Sequence, residues 1–265
     1  MTAASIATRT VKIEIGAVWS DALAMIAREW GACVVLAAAL SLAPRLVLSS
    51  FFLRPALDLA HALGMPAGTW LGGFVVGWVA GTLLVAPFAC LLAVLLTWRF
   101  AADPTEQRLS WSDTLTAGLK RTPPLYLASV IVDFLSTLGF ALLIVPGVLL
   151  TLAWSVVSPV IVLEGAGPVK SLRRSADLTR GCRRAIFGFW LTYFVVAVLI
   201  GLILGFAAGI LGAVFHLRSI LLSSASTMAE VVATVFGIAG RTALFRELET
   251  LKEGRAPSAA AAVFD

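Results

Sequence analysis

Residues 146–181 read "PGVLLTLAWSVVSPVIVLEGAGPVKSLRRSADLTRG". The first half is an apolar run that ends at Glu164. The second half carries Lys170, Arg173, Arg174 and Arg180, four of the chain's twenty basic residues. Pro168 is placed to open a helix there and Gly181 to close it. Val169, Leu172 and Ala176 then share one face, and the basic residues take another. An apolar segment leading into a short, capped, cationic helix is the pattern of a membrane span followed by an interfacial helix.

The rest of the chain extends that pattern. Its 265 residues are 60% hydrophobic and only 13% charged, with a mean hydropathy of +0.97. Soluble domains carry roughly 25% charged residues. A soluble fold cannot hide so much apolar surface, so the composition specifies an integral membrane protein with no room for a separate soluble catalytic domain. Cys33, Cys90 and Cys182 lack CxxC spacing, which argues against a disulfide framework or a zinc site. His61 and His216 lie far apart near expected loops. No metal or cofactor is expected. The first thirty residues include Arg9, Lys12, Glu14, Asp21, Arg28 and Glu29, and no apolar core precedes a small-residue cleavage site. No removable signal peptide is expected.

Six apolar segments are expected to be spans, at about 31–53, 69–98, 125–145, 148–163, 185–215 and 220–244. Most exceed the ~20 residues that cross ~30 Å of hydrocarbon. Pro146-Gly147 is a turn signal, so the third and fourth segments read as one tight hairpin. The expected fold is all-α, one polytopic membrane domain over residues 1–265. With the N-terminus inside, 17 basic residues fall on the inner side, Arg241, Arg246, Lys252 and Arg255 among them. Only Arg54 and Arg218 fall outside, and Arg45 lies within the first span. That asymmetry puts both termini in the cytoplasm, and the expected location is a bacterial inner (plasma) membrane.

An internal repeat organises the spans. "VWSDALAMIAREWG" (18–31) precedes the first span and "SWSDTLTAGLKRTP" (110–123) the third. Ser20 and Ser112 are expected N-caps, each followed by an aspartate. Leu23, Ile26 and Ala27 are expected on one face, as are Leu115 and Leu119. The helix opened by Pro168 gives the third copy. The architecture reads as three units, about 15–98, 109–163 and 167–245, each an interfacial helix plus a transmembrane hairpin, with a cytoplasmic tail over 246–265.

The segment 146–181 also resembles the membrane domain attached to some glycerophosphoryl diester phosphodiesterases, and related stand-alone six-span bacterial membrane proteins. The residues that carry the resemblance are Pro146-Gly147, Pro159-Val160, Glu164-Gly165, Gly167-Pro168, Leu172 to Ser175 with Arg174, and Arg180-Gly181. The ending "LFRELETLKEG" (244–254) is similar to that family's tail. The resemblance implies a six-helix inner-membrane protein. It carries over no catalytic residue, because the fused domain's clustered histidines and carboxylates are missing from this sequence.

Three ionisable residues fall within spans: Arg45, Asp133 and Glu230. Each costs about 2.5–3.5 kcal/mol at a helix centre. Asp133 lies ~12 Å from the cytoplasmic end of its span at 1.5 Å per residue. They read either as a polar path or as structural pairs. Gly73, Gly77 and Gly81 on one span, and Gly201, Gly205 and Gly209 on another, repeat every four residues and are expected to serve helix packing. Lys170, Arg173, Arg174, Arg180, Arg183 and Arg184 are the expected contacts to anionic lipid headgroups, and Glu164 is expected to pair with one of these arginines or with Arg121. The leading expectation is a non-enzymatic accessory or scaffold in envelope lipid homeostasis whose partners are membrane lipids. The alternative is a small-solute or lipid transporter that uses the intramembrane charges. Nucleic acid is not an expected partner, since topology accounts for the positive charge.

Overall fold

The computed structural model describes residues 13–44, 85–102, 111–215 and 218–253, which form helices and no strand. The helices are α1 (Ile15–Arg28), α2 (Trp30–Ala37, continued by a π-helical turn at Ala38–Leu42), α3 (Ala86–Ala101) and α4 (Trp111–Leu142). They continue with α5 (Ile144–Ala153), α6 (Val157–Glu164), α7 (Pro168–Thr179), α8 (Arg183–Val214) and α9 (Arg218–Glu253). By length and hydropathy α4, α5 with α6, α8 and α9 can each cross a membrane, and α1 with α2, bent by 79°, would add a fifth. Arg45, Gly73, Gly77 and Gly81 lie outside the described residues.

Helix α3 is apolar almost all round, the pattern of a core helix or a membrane span. Leu92, Leu96 and Phe100 pack into one core with residues of α1, α7 and α9. On the opposite side Cys90, Val94 and Trp98 pack with Leu125 and Ala128 of α4 and Ile161 of α6. Trp98 Nε1 also donates to the carbonyl of Val162 at 3.2 Å. α8 and α9 run side by side, with Gly240 against the Phe189 ring: a Cβ at Gly240 would fall 2.7 Å from it.

The buried core gathers at the end of the bundle that carries the basic residues. α9 is about 54 Å long at 1.5 Å per residue, well beyond ~30 Å of hydrocarbon. Where water is the solvent, apolar side chains have to be packed away; where lipid is, they need not be. Accordingly Phe194, Leu202, Ile203 and Phe206 of α8 stand exposed.

Several local expectations are corrected. The third and fourth spans do form a hairpin, but the turn is at Leu143, which is extended, and Pro146-Gly147 sits in the first turn of α5, where proline is tolerated. Gly147 matters for contact: a Cβ there would strike the Phe140 ring at 2.6 Å. The second unit has no separate interfacial helix, because α4 runs unbroken through Pro123-Pro124. Thr122 Oγ1 bonds the Gly118 carbonyl at 2.9 Å across that region. Leu115 and Leu119 are exposed. On α1 the buried face is Val18, Ala22 and Met25, while Leu23 is exposed. Ser20 lies inside α1 and donates to Ala17 O at 2.8 Å rather than capping the helix. Ser112 likewise falls inside α4.

Candidate functional site

The segment 146–181 folds into a broken span with a helix docked on it. Gly165 (φ 67°) ends α6 and Gly181 (φ 88°) follows α7, both in the left-handed region that glycine adopts without strain. Gly167 is the N-cap of α7 and Pro168 its first residue, as the sequence indicates. Between α5 and α6 the helix breaks at residues 154–156, which frees the Ala153 carbonyl from the helical ladder. Ser175 Oγ donates to that carbonyl at 2.8 Å and Thr179 Oγ1 at 3.3 Å. The inward face of α7 is therefore Ser171, Ser175, Leu178 and Thr179. Val169 is exposed and Ala176 half-buried, which corrects the expected Val169, Leu172 and Ala176 face.

Charges at this end are paired. Arg174 holds Glu164, with Nε 3.0 Å from Oε1, and also Glu253. Burial works against its charge, but those two carboxylates hold its pKa above the usual arginine value. Arg174 is thus committed within the protein rather than turned to phosphate. Arg99 meets Glu29 at 2.7 Å in a pair that is almost wholly buried. Other cations cap helix C-termini, where carbonyls lack partners. Arg28 bonds Arg99 O and Phe100 O, Arg246 bonds Ala101 O, and Lys252 bonds Asp177 O and Arg180 O. Lys170, Arg173, Arg180 and Arg184 are exposed, and Arg183 is half-buried.

A different arrangement lies deeper, where the α4–α5 hairpin and α8 separate. A partly open cavity of about 700 Å³ is found there, within the ~300–1,000 Å³ range of small-molecule sites. α4 turns Leu125, Ser129, Asp133 and Ser136 toward it, and α8 turns Phe187, Trp190, Leu191 and Phe194. Both sets follow the three-and-four spacing of one helix face. α3 contributes Ala86, Ala89, Cys90 and Ala93, whose small side chains leave the space open. Ser155, at the helix break, and Arg241 of α9 complete the polar wall.

Some of these groups are satisfied. Ser129 Oγ donates to Tyr126 O at 2.9 Å, and Tyr193 OH to Ala233 O at 2.7 Å. Others are not. The Ser136 and Ser155 hydroxyls and Trp190 Nε1 are buried without a partner among the described residues. The Arg241 guanidinium lies over the Trp190 ring, 5.4 Å from its centroid. Asp133 and Arg241 act on one another electrostatically, yet no ion pair within 4.0 Å joins them. The sequence groups Arg241 with the basic tail; in the structure it is exposed on the cavity wall, and its place amid the apolar residues of α9 is the signal that sets it apart from Arg246.

The remaining expected sites are dispersed. Glu230 is exposed on α9 and is not without a partner. At Gly201, Gly205 and Gly209 a Cβ would meet nothing within 4 Å, so this stripe is no packing seam between described helices. Among the described residues no group of three or more His, Cys, Asp or Glu side chains could hold a metal.

No curated protein and no solved structure matches the chain. A family model described as a domain of unknown function, DUF7847, matches residues 75–248. That stretch contains every residue of the cavity wall, from Ala86 to Arg241, and leaves out α1 and α2. It names no activity and does not link the chain to the phosphodiesterase-associated membrane domain. Since the match covers well over half of the chain, the protein belongs to the DUF7847 family.

Proposed function

We propose that this protein is a six-span carrier of the bacterial inner membrane, with both termini in the cytoplasm, that takes an amphiphile into the cavity between its hairpins. One observation carries the reading: two opposite charges, Asp133 and Arg241, face a common cavity without pairing. Intramembrane ionisable residues are rare, and those that face a cavity mark substrate and ion pathways. An accessory or scaffold role gives no reason for the cavity. The exposed Lys170, Arg173, Arg180 and Arg184 favour contact of the same end with an anionic leaflet, which a carrier and a scaffold share.

The test is retention of an amphiphile by the purified protein. Native mass spectrometry after detergent exchange should show a lipid-sized adduct on the wild type. The adduct should be reduced in the Asp133→Asn, Arg241→Gln double variant. Absence of any adduct from the wild type, even with added lipid, would count against a carrier.

A further inference from the structure

We propose that the cavity recognises a zwitterionic headgroup, with Asp133 holding its cationic amine and Arg241 its anionic group. This rests on the carrier reading and names the chemistry of its cargo. Two opposite charges define the site. They line one cavity and feel one another, but they do not touch. Both residues are exposed on the cavity wall, and a charge that meets hydrocarbon without a partner is costly. An uncharged ligand would leave both groups bare. A purely anionic ligand would satisfy Arg241 and repel Asp133, and a purely cationic one would do the reverse. Only a ligand with both signs, spaced across the cavity, pairs both groups and stays neutral overall.

The surrounding atoms set which end goes where. The Arg241 guanidinium lies over the Trp190 ring, 5.4 Å from its centroid, and its planar fork suits two-point contact with phosphate or carboxylate. The hydroxyls of Ser136 (8% exposed) and Ser155 (7% exposed) and the indole N–H of Trp190 have no partner among the described residues. Three such donors suit the remaining oxygens of an anionic group. Asp133 can only accept when ionised, so it takes the amine. Beyond the head, Phe187, Leu191 and Phe194 give the wall an apolar continuation along α8, fitted to acyl chains.

The same head chemistry could belong to a lipid or to a free solute, and one competition separates them. The wild-type protein in detergent is offered equal amounts of dioleoyl phosphatidylethanolamine, dioleoyl phosphatidylglycerol and dioleoylglycerol, and bound species are counted by native mass spectrometry. Phosphatidylethanolamine should be retained over each of the others by about tenfold, which corresponds to the low end of one charge-assisted contact. Asp133→Asn should remove the preference over phosphatidylglycerol, and Arg241→Gln should lower retention of both phospholipids. Displacement by glycerophosphoethanolamine at equal concentration identifies a soluble zwitterion as cargo; failure to displace identifies the lipid. Equal retention of phosphatidylethanolamine and phosphatidylglycerol would overturn the zwitterion assignment and leave the carrier reading standing. Retention of no amphiphile would overturn both. The wild-type comparison needs no variant to fold.

Discussion

At its basic end the bundle brings opposite charges into contact; in its cavity it holds them apart. Glu29 and Arg99 touch and are nearly dry, and Arg174 clasps two carboxylates. Asp133 and Arg241 share a space without meeting, beside hydroxyls that have no partner among the described residues. The same chain that caps helix ends with Arg28, Arg246 and Lys252 leaves these groups unsatisfied. The basic end spends its polarity on holding helices together. The cavity keeps its polarity for something else.

The largest effect should come from splitting the buried pair. Glu29→Gln breaks the buried pair with Arg99 and should cost about 3–5 kcal/mol, read as a large drop in the thermal unfolding midpoint in detergent. Asp133→Asn removes a charge that has no ion-pair partner among the described residues and should leave the midpoint unchanged or raised. Similar losses in both variants would erase the distinction between the two regions.

A middling effect is expected at the docked helix. Ser175→Ala with Thr179→Val strips the Ala153 carbonyl of both donors. A buried acceptor left bare costs about 1–3 kcal/mol. Hydrogen exchange should rise across α6 and α7 and stay unchanged at the far end of α8. Uniform change along the chain would mean that the bonds are incidental.

Much of this docking is legible in sequence, and its limits are physical. Pro168 and Gly181 bound α7 because proline and glycine restrict the backbone directly, and Glu164 was expected to find an arginine because a carboxylate among cations seldom stays alone. The inward face of α7 was misread because apolar residues were sent inside. Its neighbour is a free carbonyl at a helix break, so serine and threonine face it instead. The cavity was half legible. Asp133 stands out within an apolar span, but its counterpart comes from a helix over one hundred positions later in the sequence, and only tertiary packing sets the two on one wall. α4 runs unbroken through Pro123-Pro124, where Leu125 and Ala128 pack against α3.

Smaller effects sharpen the contrast further. Arg174→Gln breaks a part-exposed cluster and should cost about 1 kcal/mol or less. That loss should shrink in ~1 M salt, where screening acts over ~3 Å. A loss insensitive to salt would assign Arg174 a packing role instead. In the cavity, Ser136→Ala removes an unpartnered hydroxyl and should raise stability of the ligand-free protein by a few tenths to about 1 kcal/mol. Destabilisation would show that Ser136 has a structural partner.

The most direct test of the central claim is an experimental structure of the full chain in a lipid bilayer containing phosphatidylethanolamine. The account predicts density between the Asp133 carboxylate and the Arg241 guanidinium, within hydrogen-bonding reach of both, with Arg241 still lying on Trp190. An Asp133–Arg241 ion pair in direct contact, with the cavity closed around it, would contradict the account and make these two residues one more structural pair like Glu29 and Arg99.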